Sequence, residues 1–161
     1  MLTVISILCV MALPSFSYLR RKAERMKCEN NLRGLYTAAA AYVTDQGSWP
    51  QIPLSDPDDS NYAKAWIDAF VPYKLKEVNW ICPTLQVALG NSSYKETNSS
   101  RIDYIPTPFD SNPRAAFQWP NHPWFLERGN MHGDGNLIIF TDGRLRSLEE
   151  VKRDKTTISF P

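Results

Sequence analysis

His132, Asp134 and Asp142 are the residues of this chain whose types and spacing could do chemistry together. An imidazole and two carboxylates among Gly133, Gly135 and Gly143 could supply a general base or ligate a hard cation, and Ca²⁺ is the ion such oxygen donors favour. No second histidine and no glutamate is read at ligand spacing beside them, so the weightier reading is structural. In that reading Asp142-Gly143 forms a hairpin turn, Gly133 and Gly135 permit positive φ, and His132 braces the turn by hydrogen bonds. No catalytic residue, resident metal or other cofactor is assigned.

Two thiols could also react. Cys28 falls on an apolar helical stripe and Cys82 just after a short strand candidate. A disulfide between them would tie helix to sheet and would persist in an oxidising compartment; two buried free thiols are the alternative, and spacing alone does not bring their Cα atoms together. Cys9 lies in a wholly apolar stretch and is read as an apolar residue.

The elements that position these groups are unevenly charged along the chain. With 161 residues, 43% apolar, 22% charged and a net charge of +1, the chain has the composition of one globular domain, which excludes a disordered, collagenous or polytopic membrane protein. Residues 1–19 carry no charge, with 14 apolar positions that include Leu2, Val4, Ile5, Ile7, Leu8, Val10 and Leu13, and with Pro14 in the second half. A segment of this length and polarity is expected to be a transmembrane anchor. Six basic residues against Glu24 and Glu29 follow in residues 20–33, with no aromatic residue interleaved between Arg20 and Arg33, which argues against nucleic acid as a partner.

Helical spacing continues through Cys28, Leu32, Leu35, Tyr36, Ala39, Tyr42 and Val43 until Gly47 and Pro50 stop it. Segment 1–19 and its amphipathic continuation 20–48 therefore predict one long helix, and 49–161 a globular α+β domain. In that domain Tyr62, Ala65, Trp66, Ala69 and Phe70 mark a short helix ended by Pro72. Segments 78–81 and 101–105 are strand candidates, and 106–123, with five prolines, is a covering loop. Residues 136–148 carry the strongest hairpin signal: NLIIF, then Thr-Asp-Gly, then RLRSL. Asn91 and Asn98 begin glycosylation-type triplets, read as chance matches in a loop rich in Asn and Ser.

These features carry a family resemblance. An apolar helix with a proline, a basic collar, CENNLR at 28–33 and DQGSWP at 45–50 resemble the opening of type IV pilin-like proteins, in particular the type II secretion pseudopilins of Gram-negative bacteria. HGDGNLIIFTDG at 132–143 is similar to the C-terminal motif of His, nine residues, Asp-Gly found in those families, through His132, Gly133, Gly135, Asn136, Asp142 and Gly143. The resemblance implies a long N-terminal helix packed on a small antiparallel sheet. It implies a structural subunit of a secretion or pilus-like filament, held in the inner membrane as a single-pass protein with its C-terminal domain in the periplasm or in an extracytoplasmic filament. Other pilin-like subunits would be partners through the helix, and so would a prepilin peptidase. The family's basic leader and cleavage site do not precede Met1, so the true start is expected upstream. The rival reading is a membrane-anchored extracytoplasmic domain that binds glycans through Trp49, Trp66, Trp80, Trp119 and Trp124.

Overall fold

The computed structural model describes residues 2–90, 100–133 and 135–154, with side chains from Tyr18 onward. One helix, α1 (Leu2–Gln46), runs 45 residues through Pro14 without a break and ends where Gly47, at φ +74°, donates its amide to the Val43 carbonyl at 3.0 Å. The spacing explains its packing. Cys28, Leu32, Leu35, Ala39 and Val43 form the buried face, while residues 18–23 are exposed and Arg20–Glu24 and Arg25–Glu29 pair along the helix surface.

Among the described residues no helix is long and apolar enough to cross a membrane, and this overturns the expected single-pass inner-membrane localisation. From Tyr18 onward the helix carries Arg20, Arg21, Lys22, Glu24, Arg25 and Lys27, each of which costs about 2.5–3.5 kcal/mol at a bilayer centre.

The body is α+β. Helix α2 (Ser60–Phe70) starts at Asp59, whose carboxylate accepts the Asn61 amide, and buries Tyr62, Trp66 and Phe70. A second short helix, α3 (Pro83–Ala88), follows Cys82 with proline in its first turn. Four antiparallel strands form a meander in the order β1 (Tyr104–Pro106), β2 (Pro123–Glu127), β3 (Leu137–Phe140), β4 (Leu145–Ser147). Helix α4 (Ala115–Gln118) lies within the proline-rich connection, and α5 (Leu148–Arg153) closes the described chain.

Strand β3 is buried on both faces. Leu137 and Ile139 join the core under α1, whereas Ile138 and Phe140 pack with Val151 of α5. In β2 the register shifts between Pro123 and Phe125, which lets the consecutive residues Trp124 and Phe125 both be fully buried. Trp49 fills the centre of the main core, with its ring 5.2 Å from those of Phe109 and Trp124 and 5.9 Å from that of Trp66.

Two expectations change. Segment 78–81 is not a strand: residues 77–80 form a 3₁₀ turn in which the Asn79 side chain accepts the Lys76 amide and the Ile81 amide returns to the Val78 carbonyl. Of segment 101–105, only Tyr104 and Ile105 enter β1, at the sheet edge where Pro106 is tolerated.

Candidate functional site

Four ligand-type side chains from distant parts of the chain converge beside the first buried turn of α1. Cys28 reaches the cluster because it lies on the buried stripe of that helix. Cys82 is held at the start of α3, where its amide donates to Asp103 Oδ2 at 2.8 Å and Asp103 pairs with Arg101. Glu127 ends β2 and points to the same side as the buried Phe125, two residues earlier. His132 lies in the loop that follows, where Asn130 Oδ1 accepts the amides of Gly133 and Gly135 at 3.0 Å each.

The donor atoms of Cys28, Cys82, Glu127 and His132 all lie within 4.8 Å of one another. The two sulfurs are 3.0 Å apart, well beyond the roughly 2.05 Å of a disulfide bond, so the expected pair is brought together as unbonded thiols. Glu127 Oε1 is 3.2 Å from the Cys82 sulfur, which donates to it, and 3.2 Å from His132 Nε2. Its other oxygen accepts the Leu137 amide at 3.3 Å. All four side chains are withdrawn from solvent, His132 retaining 4% exposure.

Burial in a low-dielectric interior penalises a charged side chain, and a hydrogen bond can offset or add to that effect. The hydrogen bond with Cys28, followed by burial, pushes the Cys82 thiol up. Hydrogen bonds to the Cys82 sulfur and then to Glu127 favour the imidazolium, and His132 is pushed up to about 9. Burial likewise raises Asp103, against the opposing pull of the Cys82 amide and Arg101.

His132 does not brace the hairpin turn. It sits beside Glu127, whose carboxylate binds the Leu137 end of β3, while Asp142 follows Phe140 at the other end, where its carboxylate holds the Arg144 amide and guanidinium. A four-residue strand spans roughly 13 Å, so His132 and Asp142 do not share a cation and the expected Ca²⁺ set does not form from them. Asp134 lies outside the described residues, as do Asn91, Asn98 and the side chains of Leu2, Val4, Ile5, Ile7, Leu8, Cys9, Val10, Leu13 and Pro14.

The rest of the motif is structural. Gly133, Gly135 and Gly143 have φ of +88°, +90° and +79°, and Asn136 donates to the Glu127 carbonyl at 2.8 Å. Glu127 is the group that the sequence reading missed. It stands five residues before His132 with no motif spacing, and only its place as an inward-facing residue of β2 marks it. Four of the five tryptophans are buried in the core and Trp119 is half-buried, which removes the surface that a tryptophan sugar platform would need.

Compared with protein-family models, curated proteins and solved structures, the chain matches none.

Proposed function

We propose that this chain is a structural subunit of a pilin-like filament of the type II secretion or type IV pilus kind, assembling with other pilin-like subunits through the N-terminal half of α1. The observation that carries this reading is the projection of the helix. Among the described side chains of α1 the first fully buried one is Cys28, and the helix runs about 40 Å N-terminal to it, over residues 2–27, at 1.5 Å per residue. Tyr18, Leu19 and Met26 are large apolar residues on that projecting part, and more than half of each is exposed. Most helical stability in proteins comes from packing rather than from propensity, and packing against the same region of neighbouring subunits would cover these residues. The pilin-like order of helix, collar and C-terminal hairpin motif supports the same reading.

Oxidative cross-linking of the full chain carrying Leu19→Cys tests it. Covalent dimers joined through position 19 are expected, together with a concentration-dependent increase in sedimentation for the unmodified chain. A chain that stays monomeric at every concentration and gives no covalent dimer overturns the proposal.

A further inference from the structure

We propose that Cys28, Cys82, Glu127 and His132 form a structural Zn²⁺ site that pins α1 to the sheet. Two sulfurs, one imidazole nitrogen and one carboxylate oxygen are a complete tetrahedral donor set for this ion, and all four atoms already lie within 4.8 Å of one another. With zinc–sulfur bonds of about 2.3 Å, a tetrahedral site places its two sulfurs about 3.8 Å apart. From the observed 3.0 Å each sulfur has only to move outward by about 0.4 Å to reach that separation. Soft thiolates with an imidazole favour Zn²⁺ over Ca²⁺ or Mg²⁺, which prefer oxygen ligands.

The surroundings are those of a held site. The Cys82 amide is fixed by Asp103, the free oxygen of Glu127 is occupied by the Leu137 amide, and the Glu127 backbone is held by Asn136. Such outer contacts orient ligands before the ion arrives. His132 also lines a cleft between α1 and its own loop, shared with Arg25, Glu29, Thr84 and Met131, which gives an ion a route in from solvent. Binding releases the two thiol protons and the imidazolium proton of His132 to solvent and leaves two thiolates, one carboxylate and a neutral imidazole around Zn²⁺, a net charge of −1. The ion would join the helix, the start of α3, the end of β2 and the following loop at the place where α1 enters the body. This inference is independent of filament assembly.

The test uses the full chain, reduced and stripped of metal, titrated with Zn²⁺ against a chromophoric chelator and with Co²⁺ as a spectroscopic substitute. One equivalent of Zn²⁺ is expected to bind and to raise the thermal midpoint reversibly, and Co²⁺ is expected to give thiolate charge-transfer absorption with intense tetrahedral bands. His132→Gln and Glu127→Gln, with circular dichroism as the control for folding, should each weaken Zn²⁺ binding at least tenfold. The proposal is overturned if the reduced chain takes up no stoichiometric Zn²⁺, or if the Co²⁺ complex lacks the thiolate band. A chain that holds Cys28 and Cys82 as a disulfide, and binds no Zn²⁺ after reduction, also overturns it. So does unchanged affinity in a folded His132→Gln variant.

Discussion

Gly143 lies against the ring of Tyr36, so that a β-carbon added there would stand 3.2 Å from Tyr36 Cζ and 3.3 Å from Cε1. The Tyr36 hydroxyl donates to the Thr141 carbonyl at 3.3 Å, and its ring lies 4.9 Å from that of Trp124. The β3–β4 turn is thereby seated directly on α1.

Replacing Gly143 with alanine should therefore cost more than the same change at Gly47. Both have positive φ, near +79° and +74°, but nothing lies within 4 Å of a β-carbon at Gly47. Backbone strain alone is worth about 1–2 kcal/mol for Gly47→Ala, and Gly143→Ala adds the displacement of a packed aromatic ring. Urea denaturation of the two variants decides it; equal losses would refute the contact argument.

Trp124→Phe should cost more than Trp49→Phe, although both rings are essentially buried. The Trp124 indole N–H donates to the Ala116 carbonyl at 2.8 Å, whereas that of Trp49 has no partner among the described residues. Both changes open space in the core, but the first also strands a buried carbonyl, an added penalty of about 1–3 kcal/mol. Comparing the two unfolding free energies in denaturant isolates that penalty.

Asn136→Ala should lower stability by about 1–2 kcal/mol, because the Glu127 carbonyl loses its side-chain donor. Asn136→Asp should lower it further at neutral pH, since a carboxylate would face that carbonyl with no proton to share. Thermal melts of both variants test the order.

The Arg128 guanidinium grips both oxygens of Asp58, with Nη2 2.7 Å from Oδ2, and this hydrogen bonding holds the Asp58 carboxyl below its usual value. A depressed carboxyl contributes stability that is fully present above its unfolded value, near 3.9, and lost as pH falls through the folded value. Asp58 is more than half exposed and Arg128 about one-third, so the contribution is at most about 1 kcal/mol. The stability difference between the unmodified chain and Arg128→Gln should be constant above about pH 5 and shrink toward zero in stronger acid. A pH series of denaturation curves measures it; a difference that persists in acid would exclude the ion pair as its source.

Much of the architecture was legible because it depends on local periodicity and turn chemistry. The three- and four-residue recurrence from Cys28 to Val43 specifies a helix and its buried face, Gly47 marks its end, and Asp142-Gly143 between NLIIF and RLRSL specifies a hairpin. These signals lie within a few residues of one another, so no distant contact is needed to read them. Residues 78–81 misled because their apolar content fits a strand, and only the Asn79 cap and the burial of Trp80 and Ile81 beside α1 select the 3₁₀ turn. Strand β2 was hidden because its bulge replaces alternation with two adjacent buried rings. Helix α5 escaped notice although Ser147 and Glu150 form its capping box, since the pattern directly follows β4. By itself the sequence determined the long helix, its buried stripe and the C-terminal hairpin, because those follow from backbone periods and glycine conformations. Only the tertiary structure decided that Cys28, Cys82, Glu127 and His132 share one buried pocket, since they come from four segments that meet when helix, sheet and loop pack together.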